Sequence, residues 1–342
     1  MRKVLSIASL VLGLMLAQWS WAEAQWREDH PDTYTVVKGD TLWDIASRFL
    51  NNPWYWPEIW YANPQIANPH LIYPGDVLQL VYIDGKPRVT VGQRGPGANT
   101  IKLSPKVRAT PLASAIPSIP LDAIAPFLTN TRIVTLEEMQ KAPYVLLGKR
   151  GNLVVGAGDS VYVRGEVKPE EAYGIYREAT KYVDPDTGEF LGLEARSLAH
   201  GKITEVRGEI GTYLVQKSSA EILKGDRLLH EEDRELSTNF VPSAPDQDIR
   251  GKMIAVLDGV SQIGQYDVVV VNLGRDKVKE GNVLAVYKKG EQVKDPYTKE
   301  ILQLPSERAG LMMLFRVFDK VSYGLILRAE RPLAVLDEVR KP

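Results

Sequence analysis

The sequence contains no cysteine, only four histidines and no surplus of either charge, with 42 Lys and Arg against 43 Asp and Glu. Without cysteine there is no disulfide, no thiolate-bound zinc or iron–sulfur cluster, no thiol nucleophile and no lipidated amino-terminal cysteine. The balanced charge removes the electrostatic reason to expect nucleic acid or an anionic membrane surface as a partner. His30, His70, His200 and His230 are scattered, with no His-x-His pair and no His-Glu-x-x-His helix to hold zinc. No metal, cofactor or catalytic residue is therefore expected, although a glycosidase using only Asp and Glu leaves no compositional trace.

What is present is an average soluble composition, 44% apolar and 25% charged over 342 residues. That excludes a polytopic membrane protein and wholesale disorder, and the length calls for two or three domains. Arg2 and Lys3 form a basic start, Val4 to Ala17 is an apolar run, and Ala22-Glu23-Ala24 offers a cleavage site before Gln25. As a helix that run is about 21 Å long, short of a bilayer core of about 30 Å. Residues 1–24 are thus expected to be a cleaved signal peptide, leaving no retained membrane anchor.

The segment from Tyr34 to Leu80 reads β-α-α-β. Tyr34 to Val37 alternates as a strand, and Lys38-Gly39-Asp40-Thr41-Leu42 turns the chain into a helix capped by Thr41, with Asp44 completing a capping box. Leu42, Ile45, Ala46 and Phe49 recur at helical spacing. Pro57-Glu58 suits the start of a second helix reaching Asn63, and Ile72-Tyr73-Pro74-Gly75-Asp76 turns into a second strand at Val77 to Leu80. Trp56 and Trp60 at helical spacing point inward, whereas Trp54 and Tyr55 are open to two readings, packing or stacking on a sugar or partner.

These residues, Tyr34-x-Val36-x-x-Gly39-Asp40-Thr41-Leu42-Trp43-x-Ile45-Ala46, then Asn63-Pro64-x-Ile66 and Ile72-x-Pro74-Gly75-x-x-Leu78, resemble a LysM module throughout. The resemblance implies binding of β-1,4-linked N-acetylglucosamine polymers, such as peptidoglycan, in a groove between two loops. On this sequence the loops supply Gly39, Asp40, Thr41, Leu42, Ile66, Asn68, Leu71 and Ile72 as candidate ligand-binding residues. Leu42, Ile66 and Leu71 offer apolar contact for the N-acetyl methyl, while turn geometry and core packing account for the same residues without any ligand.

From Gly92 to Thr129, Pro96, Pro105, Pro111, Pro117, Pro120 and Pro126 stand among small residues, which resists helix and sheet and predicts a tether, with a loop docked on the next domain through Ile116 to Leu121 as the alternative. Beyond it the sequence repeats. Asp184-Pro185-x-Thr187-x-Glu189-x-Leu191 recurs as Asp295-Pro296-x-Thr298-x-Glu300-x-Leu302, and the register holds to Asp226/Asp337. Gly156-x-x-Asp159 matches Gly264-x-x-Asp267 at an offset three residues shorter. Both copies are rich in β-branched and aromatic residues between turns, as in small barrels or sandwiches. The Asp-Pro-x-Thr motif reads as turn chemistry, with a carboxylate pair or calcium site the weaker alternative.

The expected organisation is a multidomain chain: signal peptide 1–24, α+β LysM domain 34–82, proline-rich linker 92–129, and mainly-β repeats 130–235 and 250–342. That arrangement, with Asn52-Pro53-Trp54-Tyr55-Trp56-Pro57-Glu58-Ile59-Trp60, resembles the type IV pilus secretin-associated proteins. Asp184 to Glu189 and Lys224-Gly225-Asp226-Arg227-Leu228 are similar to the carboxy-terminal region of the flagellar assembly protein FlgT. The resemblance implies a non-enzymatic protein in the Gram-negative periplasm. Its implied partners are peptidoglycan and the outer-membrane secretin, with a homo-oligomeric ring as a further possibility. A LysM-targeted wall hydrolase and a general envelope spacer with no pilus partner are the alternatives.

Overall fold

Thr41 caps helix α1 (Leu42–Phe49): its hydroxyl accepts the Asp44 N–H at 3.1 Å, and the Asp44 carboxylate accepts the Thr41 N–H at 3.3 Å. Two amide donors that have no partner within the helix are satisfied by this box. Leu42, Ile45, Ala46 and Phe49 then fall on one face and bury against Val36, Ile59, Ile72, Leu78 and Val89. The computed structural model describes residues 24–60, 72–94, 117–129, 131–149, 155–231, 240–257 and 262–342. The signal-peptide expectation lies outside them apart from Ala24. Among the described residues no helix is long and apolar enough to cross a membrane. The chain divides into two units, residues 1–116 and 117–342.

In the first unit β1 (Thr33–Thr35), β2 (Val77–Ile83) and β3 (Lys86–Gln93) form an antiparallel sheet in that order. β3 carries the unit beyond residue 82, where the sequence pattern ended it. Asp84 and Gly85 make the hairpin in the left-handed region, φ 50° and 73°, the geometry that suits the twist of the flanking strands. Pro87 is tolerated because β3 is an edge strand. The second helix is shorter than expected. After a 3₁₀ turn at Pro53–Tyr55, α2 covers Trp56–Ile59 and stops before Asn63, because Trp60 turns extended and bridges Val89 of β3.

The second unit begins inside the span expected to be a tether. Leu121–Thr129 form helix α3, with Pro126 within it. Ile119, Ile124 and Phe127 are buried, so packing outweighs the proline content that argued against a helix. Residues 95–116 of the expected linker lie outside the described residues. After β4 (Thr131–Val134) and α4 (Leu136–Lys141) come β5 (Tyr144–Gly148), β6 (Ser160–Arg164), β7 (Ala172–Val183), β8 (Phe190–Arg207), β9 (Ile210–Ser218) and β10 (Arg227–His230). These six close into barrel 1 in the order β5-β6-β9-β8-β7-β10, and β4 pairs with the outer part of β8. Its core holds Val161, Val163, Ile175, Ile203 and Tyr213.

Barrel 2 comprises β11 (Arg250–Val256), β12 (Val268–Val271), β13 (Val283–Lys288), β16 (Glu307–Val317), β17 (Ser322–Ala329) and β18 (Glu338–Arg340). A projecting hairpin, β14 (Gln292–Lys294) and β15 (Ile301–Gln303), stands between β13 and β16. The order β11-β12-β17-β16-β13-β18 is that of barrel 1 strand for strand. Register agrees as well: Val145↔Val163 corresponds to Met253↔Val271, and Ala172↔Lys202 to Val283↔Met313. The bulges recur at Val145/Leu147 and Met253/Ala255, and at Ile203/Glu205 and Leu314/Arg316.

Backbone strain follows the same correspondence. Four non-glycine residues of the barrels have φ in the left-handed region: Glu170 (62°), Tyr266 (71°), Lys299 (63°) and Leu336 (76°). At each matching position the other barrel has a glycine with positive φ: Gly281, Gly158, Gly188 and Gly225. A side chain in that region costs about 1–2 kcal/mol. Gly225 has open space where a Cβ would stand, so Gly225→Leu isolates this cost. The substitution should destabilise by about 1–2 kcal/mol, whereas the reciprocal Leu336→Gly should be neutral or stabilising by up to about 1 kcal/mol, the chain entropy of glycine offsetting the rest. Denaturant midpoints of the two variants check this; a stability loss in Leu336→Gly matching that in Gly225→Leu contradicts it.

The barrels and α3 are joined at the tip of the β7–β8 hairpin and at Arg316. The tip of the β7–β8 hairpin rests on barrel 2, where Asn272 Nδ2 donates to Asp184 Oδ2 at 2.7 Å. That bond holds the Asp184 carboxyl below the usual carboxylate range, helped by the Thr187 and Asp186 N–H groups. Buried Arg316 of β16 donates through Nη1 to the carbonyls of Phe127 at 2.9 Å, Thr131 at 2.5 Å and Leu128 at 3.3 Å, drawing the end of α3 onto barrel 2. Its counterpart in barrel 1, Glu205, is exposed.

Candidate glycan-binding site

The first expected binding loop is the turn Val37-Lys38-Gly39-Asp40. Asp40 N donates to Val37 O at 3.2 Å, and the Asp40 carboxylate accepts the Val37 N–H at 2.9 Å and the Tyr34 hydroxyl at 2.9 Å. Gly39, at φ 100°, occupies the left-handed position that this turn requires. The Tyr34 hydroxyl titrates above its ordinary range, first because burial disfavours the phenolate and then because it donates to Asp40.

The same turn occurs five more times among the described residues. In each case the fourth residue is an aspartate whose carboxylate accepts the N–H of the first: Asp76 from Tyr73, Asp159 from Gly156, Asp226 from Leu223, Asp267 from Gly264 and Asp337 from Ala334, at 2.6–3.0 Å. Four of the six lie in the barrels. An aspartate after a left-handed residue, glycine in four of the six, is therefore a recurrent means of closing a turn, and the Asp40 carboxylate is committed to it. Thr41 is likewise committed to its capping box and is buried.

The side chains of Leu42 and Ile72 are buried in the module's core, so the structure does not offer Leu42 as an exposed apolar contact for an N-acetyl methyl. The reason is geometric. Leu42 is the first residue of α1 and lies on the same helical face as Ile45, Ala46 and Phe49. What the first loop presents to a ligand is the main chain around Gly39, open where a Cβ would stand, with exposed Lys38 and the half-exposed Val37 beside it. Sequence reasoning passed over Val37; an apolar residue at the end of an alternating strand and next to a left-handed glycine is the signal that marks it. Ile66, Asn68 and Leu71 lie outside the described residues. Trp54 and Trp56 are both buried, which assigns Trp54 to packing, while Tyr55 remains partly exposed.

A second feature of the module was not anticipated. Arg27, Asp29, Tyr34, Asp44, Ser47 and Arg48 line an open depression of about 640 Å³ on the α1 side of Asp40. Arg48 lies over the Tyr34 ring at 4.6 Å, and Arg27 pairs with Asp29.

In the barrels one polar chain stands out. Ser197 Oγ lies 3.1 Å from His200 Nε2, and His200 Nδ1 lies 3.0 Å from Glu231 Oε1. The connectivity is that of a serine, a base and an orienting acid. Ser197 is 4% exposed, however, so its hydroxyl is not presented to a substrate, and the three groups tie β8 to the segment after β10. No group of three or more His, Asp or Glu residues is placed to hold a metal among the described residues.

Residues 34–81 match the model of the LysM domain. The chain is also similar to an uncharacterized protein, YqbP, of Bacillus subtilis (strain 168), at 42% identity over 60 residues. That alignment takes in 15% of this chain and 27% of the relative, so the chain spans about a quarter of the length of the curated protein it matches. The helix-and-sheet module of the first unit, with its turn at Gly39 and its capped α1, is a LysM domain, the family associated with peptidoglycan binding.

Proposed function

We propose that this chain is a periplasmic adaptor that holds peptidoglycan through its LysM domain and a protein partner through its paired barrels. The partner in this reading is the outer-membrane secretin of a type IV pilus machine, and the chain anchors that pore to the wall without catalysing a reaction. One observation carries the reading: a LysM domain at residues 34–81 belongs to one compact unit, and two barrels of equal topology form another. The resemblance to secretin-associated proteins supports the partner, the expected signal peptide supports the periplasm, and the proline-rich span between the units provides the connection.

We also read the barrels as an internal duplication. Shared strand order, register and bulges support it, as does the exchange of glycine for side chains at left-handed positions. One weak module per chain gives little grip, so several copies around one pore, in a ring, would gain strength by avidity. The hydrolase alternative requires that the chain release muropeptides and that changing a single carboxylate abolish the release.

The partner assignment is tested in cells. Deleting residues 34–80 should leave the chain attached to the secretin and free both from the wall, while deleting 130–342 should leave a wall-bound fragment without secretin. Secretin retained on sacculi from the second strain as in the parent contradicts the assignment.

A further inference from the structure

Barrel 1 sets its β7–β8 hairpin on barrel 2 through Asp184, Asp186 and Glu189, which meet Asn272, Lys252 and Lys320 at 2.7, 2.5 and 2.5 Å. Barrel 2 has the same hairpin tip. Asp295 Oδ1 accepts the Tyr297 and Thr298 N–H groups as Asp184 Oδ1 accepts those of Asp186 and Thr187. This second tip projects into solvent with apolar side chains: Tyr297 is 91% exposed and Ile301 71%, and Leu302 and Leu304 are exposed too. Leu193, the counterpart of Leu304, is fully buried and pairs with β4. Four exposed apolar residues on one short hairpin mark a contact surface rather than a solvated turn.

The correspondence between barrels also locates the face that would receive this tip. Lys252, Asn272 and Lys320 of barrel 2 match Tyr144, Arg164 and Glu209 of barrel 1, since Lys252↔Glu338 repeats the pairing of Tyr144↔Arg227. Arg164 and Glu209 pair with each other at the surface, and neighbouring Ile210 is 44% exposed where its counterpart Val321 is fully buried. At Arg164, Glu209 and Ile210 the equivalent of the occupied face of barrel 2 is exposed in barrel 1, and Tyr144 at its edge is part-buried with Arg227 over its ring.

We propose that the β14–β15 hairpin of one copy docks on this face of barrel 1 in a second copy. The contact repeats between chains the one that barrel 1 makes with barrel 2 within a chain. Its chemistry changes on both sides together. Asp184 with Asn272 becomes Asp295 with Arg164, a charged pair, and Asp186 with Lys252 becomes Tyr297 with Tyr144, two rings. Glu189 with Lys320 becomes Glu300 with Glu209, two like charges, and there Arg164, already bonded to Glu209, offsets the repulsion. The contact is head to tail. Each copy keeps one free hairpin and one free face, so copies add in a row until the row closes on itself. The inference supplies an interface for the ring of the preceding section and holds or fails independently of the wall and secretin assignments.

The absence of cysteine allows a direct test. Full chains carrying Tyr297→Cys and Tyr144→Cys are prepared separately, then oxidised alone and mixed. The mixture should give a disulfide-linked dimer that neither variant gives alone. A dimer from Tyr297→Cys alone means that two hairpins meet each other, and no dimer from the mixture means that they do not reach barrel 1; either result overturns the proposal. In sedimentation, Tyr297→Asp should weaken self-association about tenfold or more. Adding Tyr144→Lys should restore it, because the pair rebuilds the Asp186–Lys252 contact. An unmodified chain that stays monomeric at the concentrations used for cross-linking contradicts the proposal, whatever it does with peptidoglycan or secretin.

Discussion

Asp76→Ala should strongly destabilise the LysM unit and with it weaken sedimentation with peptidoglycan. The Asp76 carboxylate is fully buried, accepts the Tyr73 N–H at 3.0 Å and takes the Arg94 guanidinium at 2.8 Å. Its loss removes the acceptor of the part-buried Tyr73 N–H and a charged partner of Arg94, whose side chain is only a quarter exposed. Breaking a buried pair costs about 3–5 kcal/mol, and the partial exposure of Arg94 brings this to about 2–3 kcal/mol. A unit of this size commands only about 3–5 kcal/mol in all. Asp76→Asn keeps an acceptor for Tyr73 and should cost about 1 kcal/mol. Thermal melts of the two variants separate these values, and an alanine variant that melts like the asparagine one sinks the account. A LysM fragment prepared for such work should extend through Arg94, because ending at residue 91 removes both this partner and the last residues of β3.

Arg316→Met should release the α3 segment from barrel 2. Methionine fills much of the same space but leaves the carbonyls of Phe127, Leu128 and Thr131 without the Nη1 donor they share, and removes the cation from the Phe318 ring, 4.8 Å from the guanidinium. The cost should be about 3 kcal/mol, lowering the melting temperature of the barrel unit by about 6–12 °C. Limited proteolysis should then cut within residues 117–131 before any barrel strand. Protection of that segment equal to the parent's contradicts the role given to Arg316. The expected effect is larger than at the left-handed turns because a buried cation and its acceptors are separated at once.

The parts of the structure that were readable from sequence are those whose cause is local. Thr41 and Asp44 are three residues apart and cap α1 without help from elsewhere. Asp184 and Asp295 open turns that repeat because the same residues recur in the same order. β3 had a local signal that went unused, Asp84-Gly85 before the alternation of Val89 and Val91. What was not readable depends on distant partners. Trp60 ends α2 because Val89 waits across the sheet, and α3 forms around Pro126 because Ile124 and Phe127 have somewhere to bury.

At the candidate site the same division between local and distant causes applies. Gly39 and Asp40 carry the strongest family signal, yet the recurrence of their turn at Gly75-Asp76, Gly158-Asp159 and Gly225-Asp226 shows that most of that signal is backbone geometry. Leu42 belongs to the core by its place on the helix. Among the described residues the first loop leaves the main chain at Gly39 open with Val37 and Lys38 beside it, and a sequence pattern does not display open main chain.

The central claim is that peptidoglycan binding resides in the LysM domain. The most direct measurement is co-sedimentation of the full chain with purified sacculi, in parallel with a chain lacking residues 34–80. The full chain should pellet with sacculi in a saturable manner, with a dissociation constant of about 10 μM to 1 mM for a single shallow site, and the deleted chain should stay in the supernatant. A deleted chain that pellets as the full chain does would place wall binding elsewhere and contradict the account.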